Sequence, residues 1–138
     1  MAQYLLDTNI LSEASSLKGN AQVIAKLDEN APLVATATVV MHELLYGCYR
    51  LPVSRRRVAL ERYLKGLLSS SMPVFDYTTA AADWHAAERA RLTQQGRTPP
   101  YADGQIAAIA AVNHLTLVTR NVTDFADFQD LHLANWFA

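Results

Sequence analysis

The chain has 138 residues, the length of one domain. Apolar residues make up 51% and charged residues 18%, which excludes a disordered or low-complexity chain. A formal charge of −1 excludes a generally basic nucleic-acid binder while leaving room for a local basic patch, and the single cysteine, Cys48, excludes a disulfide framework and any cysteine-based zinc site within one chain.

Leu5-Leu6 begins a short buried strand that stops at Asp7, and Ile10, Leu11 and Ala14 continue at helical spacing. Asp7 is therefore expected at a strand-to-helix junction. Ala21–Glu29 reads as a helix ended by Asn30-Ala31-Pro32. Leu33–Thr36 is a second strand. Thr38 is expected to cap a helix that carries Val39, Val40, Glu43, Tyr46 and Gly47 on one face. Leu51-Pro52 breaks it. Ser54 caps the next helix, which runs to about Ser69 with Val58, Leu60, Leu64, Leu67 and Leu68 as its buried side.

Pro73–Tyr77 is a third strand. Thr78–Gln95 is a long helix with Ala82, Ala86, Ala90 and Leu92 inward, and Gly96–Pro100 is a loop. Ala102–Asn113 is an alanine-rich helix, Leu115–Thr119 a fourth strand and Leu131–Ala134 a fifth. Strands that alternate with helices and read as continuous apolar runs predict an α/β fold, a three-layer α/β/α sandwich on a central parallel sheet, in one domain over 1–138.

The N-terminus has no basic n-region and carries an acid at position 7, so no targeting segment is expected. The longest apolar stretches, Leu33–Met41 and Ile106–Val112, fall far short of the ~20 residues that span a bilayer. A cytoplasmic protein without membrane contact is expected.

Four acids stand in apolar or small-residue surroundings: Asp7, Glu43, Asp103 and Asp124. Asp7 and Asp124 follow strands, and ligand sites in open parallel sheets gather at the carboxyl ends of strands. Glu43 and Asp103 fall in first turns of helices that can face the same rim. Four converging carboxylates repel one another unless a cation sits among them, and Mg²⁺ or Mn²⁺ suits oxygen ligands alone. Each acid also has a structural explanation: Asp7 and Asp124 as turn or cap residues, Glu43 as part of a solvated face, Asp103 as a charge near a helix N-terminus. His42, His85, His114 and His132 form no HxxxH or HExxH pattern. Cys48 reads as a buried small hydrophobe.

The segment from Leu5 to Glu13, LLDTNILSE, resembles the N-terminal motif of PIN-domain ribonucleases, above all the toxin halves of VapBC-type toxin–antitoxin pairs. Three further segments fall in that family's order: His42–Gly47, Asp103–Ala107 and Val118–Phe125. The resemblance covers essentially the whole chain. It implies that Asp7, Glu43 and Asp103 hold Mg²⁺ or Mn²⁺, with Asp7 and Asp103 as the direct ligands. The family's last acid falls either where Asn121 stands or where Asp124 stands. Asn121 is an amide, so Asp124 is taken as the fourth acid and Asn121 as its polar neighbour. Thr8 and Thr119 would orient carboxylates, and Asn9 would support the loop. The implied activity is metal-dependent endoribonuclease cleavage of structured RNA, tRNA or rRNA, leaving 5′-phosphate and 3′-hydroxyl ends. The implied partners are a second copy of the chain and a small antitoxin that covers the site.

Half of the twelve basic residues lie between Arg50 and Lys65. Arg55, Arg56 and Arg57 are the candidates to track RNA phosphates, with Arg97 and Tyr101 flanking the approach to Asp103. A solvated helix start or a contact to an acidic partner explains the basic run equally well. Competing functions fare worse. A phosphoryl-accepting receiver needs a late lysine, and lysines occur only at 18, 26 and 65. A phosphatase with an Asp nucleophile usually has a second Asp two residues on, where Asn9 stands. The alternative left is a catalytically silent adaptor with the same fold, which the four acids argue against.

Overall fold

Five short strands form one parallel sheet: β1 (Tyr4–Leu6), β2 (Val34–Ala37), β3 (Val74–Phe75), β4 (Thr116–Val118) and β5 (Leu133–Ala134). These belong to a computed structural model that describes residues 1–16 and 18–137; Leu17 and Ala138, the last residue of the expected domain, lie outside the described residues. The strand order is β3-β2-β1-β4-β5. Leu5 of the central strand pairs with Ala35 on one side and Leu117 on the other. Leu5, Leu6, Ala35, Ala37, Leu117 and Val118 are all buried, as strands covered on both faces require.

Among the described residues, seven α-helices flank the sheet: α1 (Thr8–Ala14), α2 (Ala21–Glu29), α3 (Thr38–Tyr49), α4 (Arg55–Ser69), α5 (Thr79–Gln94), α6 (Tyr101–Val112) and α7 (Val122–Phe125). Successive strands β1, β2 and β3 step outward on one side of β1, and β4 and β5 step outward on the other. The order thus reverses between β1 and β4. In open α/β sheets the ligand crevice lies at that switch point, outside the carboxyl ends of the strands. Here those ends deliver Asp7 and Thr119.

Several local expectations need correction. Thr38 does not cap α3: Ala37 takes the cap position with no side-chain bond, and Thr38 Oγ1 makes only a long 3.5 Å contact to the Phe75 carbonyl. The buried face of α3 is Val40, Met41, Leu44 and Cys48, while Tyr46 points outward, 56% exposed. Ser54 does cap α4, accepting from the Arg57 N–H at 3.2 Å. Only Leu64 of that helix is fully buried, and Val58 and Leu68 are exposed.

On α5, Ala86 and Ala90 face solvent, and the inward stripe is Ala81, His85, Glu88 and Leu92. The two polar members are buried with polar partners, although His85 Nε2 has none among the described residues. His85 Nδ1 is paired with the Tyr77 hydroxyl at 2.8 Å. Glu88 accepts two bonds from Arg91, each 2.9 Å, and one from the Gln129 N–H at 2.7 Å. No described helix is long and apolar enough to cross a membrane.

Candidate active site

Asp7 is the residue at which β1 turns into α1, and it is 5% exposed. It caps α1: Oδ1 accepts from the Thr8 N–H at 2.7 Å. Its other oxygen, Oδ2, accepts from the Thr119 hydroxyl at 2.8 Å. Thr119 in turn accepts from the Asn121 N–H at 3.1 Å. Thr8 Oγ1 lies 2.8 Å from Glu43 Oε2 and 3.2 Å from Asp7 Oδ1. It has one proton to give, and the shorter bond to Glu43 takes it. Asn9 Oδ1 accepts from the Arg120 N–H at 3.1 Å and so ties α1 to the loop after β4. One short segment, residues 7–9, thereby fixes two carboxylates and the β4 exit through hydroxyls and an amide.

Asp103 comes from the first turn of α6 and Asp124 from the first turn of α7. With Asp7 and Glu43 they line one open cleft of about 440 Å³, together with Thr8, Asn9, Ser12, Glu13, Arg120, Asn121, Phe125 and Phe137. Asp124 and Asn121 both reach this cleft, so the two candidate fourth positions are neighbours. The acids sense one another: burial first, then the charges of Asp7, Asp124 and Glu43, push the Asp103 pKa up to about 6. Removing a carboxylate from water and surrounding it with like charges both favour its protonated form.

Among the described residues, no group of three or more His, Cys, Asp or Glu stands at closed metal-ligand spacing. The acids ring the cleft with room between them. That donor set fits a small hard cation, which keeps several waters and takes one or two carboxylates directly.

The basic candidates separate. Arg56 lines a second cleft of about 630 Å³ that shares Thr8, Ser12 and Glu43 with the acid cleft and runs on to Leu60 and Tyr63. Arg55 faces a different hollow beside Val53, Val58 and Arg62. Arg57 turns back on its own chain: Nη1 donates to the Leu51 carbonyl at 3.2 Å, and its guanidinium lies 5.8 Å from the Tyr49 ring. Arg97 does not line the acid cleft; Asp127 holds it at 3.0 Å, and Gln95 also accepts from it. Tyr101 also lies outside the cleft lining, its ring 4.9 Å from that of His85 and near Arg89 at 5.3 Å.

Sequence inspection missed Arg120 and Phe137. Arg120 lies outside the basic run, and Phe137 reads as an ordinary apolar terminus. The guanidinium of Arg120 sits 4.8 Å from the Phe137 ring centroid, a pairing visible only once β5 brings the C-terminal segment beside β4.

A family model of the PIN domain matches residues 4–131. The chain is 31% identical to the tRNA(fMet)-specific endonuclease VapC of Shigella flexneri, over 99% of both proteins. It is 33% identical to the plasmid stability protein StbB of Pseudomonas syringae pv. tomato, over 88% of this chain and 89% of that protein. Among solved structures, VapBC2 from Rickettsia felis bound to a DNA fragment from their promoter superimposes with a TM-score of 0.83 at 28% identity, over 96% of this chain and 98% of that one.

Proposed function

The chain belongs to the PIN-domain family, and from that premise we propose that it is the toxin endoribonuclease of a toxin–antitoxin pair, cutting structured RNA in the cytoplasm at the cleft around Asp7. The observation that carries this is the shared cleft: four acids, from the end of β1 and from α3, α6 and α7, line it together, and burial first and the neighbouring charges second raise the Asp103 pKa to about 6. Carboxylates held near one another repel, and a cation among them offsets that repulsion.

Asp7, Glu43, Asp103 and Asp124 would hold Mg²⁺ or Mn²⁺. The ion, when bound, supplies acidification of water and neutralisation of charge on the phosphate under attack. The protein's own part is orientation. Thr119 and the Thr8 N–H hold both oxygens of Asp7, and Thr8 Oγ1 holds Glu43, so these carboxylates need no rearrangement when the substrate arrives. Among the described residues, no serine, cysteine or histidine stands in the cleft paired with a base, except that Ser12 lines it unpaired. The Thr8 hydroxyl does pair with a carboxylate, but that bond serves to hold Glu43, and water is the nucleophile in this reading.

The similarity to a tRNA-specific endonuclease supports tRNA as the substrate class. The long groove past Arg56 and Tyr63, continuous with the acid cleft, suits an antitoxin segment that covers the site. The outward face of α3, with Tyr46, Tyr49 and nearby Leu68 around an apolar hollow, suits a second copy of the chain. The test is purified protein incubated with total tRNA, with Mn²⁺ or with EDTA, and sequencing of the RNA 5′-ends. Discrete metal-dependent ends that vanish in Asp103→Asn support the function. Unbroken RNA under every metal condition refutes it.

A further inference from the structure

Arg120 is the one cation that lines the acid cleft among the described residues. It shares that cleft with five carboxylates, those of Asp7, Glu13, Glu43, Asp103 and Asp124. An arginine among acids ordinarily pairs with one. Yet the ion pairs among the described residues are Glu88–Arg91 and Arg97–Asp127, and Arg120 joins neither. Two features keep it off the acids. Its backbone is fixed by Asn9. Its guanidinium rests 4.8 Å from the centre of the Phe137 ring, inside the ~6 Å range of cation–π attraction.

Phe137 is itself anchored. Its N–H donates to Asn135 Oδ1 at 2.9 Å, and the preceding Trp136 is buried with its ring edge-on to Tyr4, 5.3 Å away. The guanidinium is therefore parked on an aromatic shelf at the mouth of a cleft that it does not neutralise.

We propose that Arg120, braced by Phe137, is the docking group for a backbone phosphate of the RNA next to the one that is cut. A guanidinium offers a planar fork of N–H donors that matches two phosphate oxygens. Its positive charge also offsets the repulsion that a polyanion meets on nearing five carboxylates. The shelf preserves the arginine for that task by holding it away from the site's own acids. This deepens the RNA-cleaving function proposed above and rests on it.

The test separates the two. Binding of a fluorescein-labelled oligouridylate is followed by anisotropy across a salt series, in an Asp103→Asn background that leaves the RNA intact. Arg120→Ala is expected to bind about tenfold more weakly, the worth of one hydrogen bond to a charged group. It should also lower the slope of log affinity against log salt by about 0.7, the single-strand value for one phosphate contact. Arg120→Lys should keep the slope and lose part of the affinity, because an ammonium lacks the fork. Phe137→Leu should weaken binding at unchanged slope. In the cleaving protein, the loss from Arg120→Ala should appear in KM. Unchanged affinity and slope in Arg120→Ala, in a variant that melts like its parent, overturns the proposal and leaves Arg120 to a protein partner. Failure of the parent protein to cut any RNA defeats the function but leaves the binding comparison standing on its own.

Discussion

Of the five glycines, Gly104, one residue past Asp103, leaves a side chain the least room. A Cβ added at Gly104 would stand 2.6 Å from His85 Cδ2 and 3.1 Å from Cε1, with Nε2 closer still. Non-bonded carbons rest at about 3.5 Å or more, so Gly104→Ala forces a displacement of roughly 1 Å. The imidazole has little room to give way. It is 2% exposed, Nδ1 is tied to Tyr77, and the Tyr101 ring packs on it. Among the described residues its Nε2 has no partner, and burial, then Arg89, lower its pKa, so it enters this contact neutral.

The strain therefore passes to the first turn of α6, which carries Asp103. Overpacking costs about 1–3 kcal/mol, and alanine returns up to about 1 kcal/mol of helix propensity. A net loss of about 1–2 kcal/mol is expected in urea unfolding, with cleavage falling on the order of a hundredfold from misplacement of Asp103. The control is His85→Ala, which removes the obstacle. In that background Gly104→Ala should be neutral or slightly stabilising, giving a coupling of about 2 kcal/mol between the two positions. A Gly104→Ala protein that is more stable than the parent with His85 present refutes the argument, because helix propensity alone would then account for it.

Cleavage should stop in EDTA and return with Mg²⁺ or Mn²⁺, and full activity in metal-stripped protein would falsify the role given to the acids. A carboxyl raised to about 6 contributes stability below its unfolded pKa and loses it as pH climbs through about 6. Asp103→Asn should therefore out-melt the parent near neutral pH in EDTA by on the order of 1 kcal/mol, after allowance for solvent screening, and lose that advantage below about pH 4. Of the three successive arginines, Arg56→Glu should weaken RNA binding most, since Arg56 alone faces the groove, as a salt-series titration of each single variant would reveal. Glu88→Gln should cost about 1–3 kcal/mol by disturbing the bonds to Arg91 and Gln129; because the Arg91 hydrogen bond chiefly holds the Glu88 pKa low, the deficit should shrink as pH falls through that lowered value.

The residues whose positions could be read in advance are those fixed by local rules. Asp7 ends an apolar strand and begins a helix, so its place at a carboxyl edge follows from a few neighbours. Asp103 falls in the first turn of α6 as its spacing suggests, whereas Glu43, expected in a first turn, is the sixth residue of α3 and stands in its second. What stayed hidden depends on contacts distant in sequence. Glu88 occupies the buried stripe of α5 with a bond from the Gln129 N–H far along the chain as well as those from Arg91, and His85 does so with its Nδ1 paired to Tyr77 outside the helix. Without those partners, the alanines at 82, 86 and 90 look like the better core. The sheet order is hidden for the same reason, since nothing in the Leu5-Leu6 dipeptide says that it pairs on both sides. Arg120 shows the same limit at the cleft. Arg120 stands inside the Val118–Phe125 segment, but the shelf that gives it its direction is seventeen residues away at Phe137, brought alongside because β5 pairs with β4. Local pattern thus locates the acids at the strand and helix ends, whereas the direction of Arg120 depends on pairings made by the completed sheet.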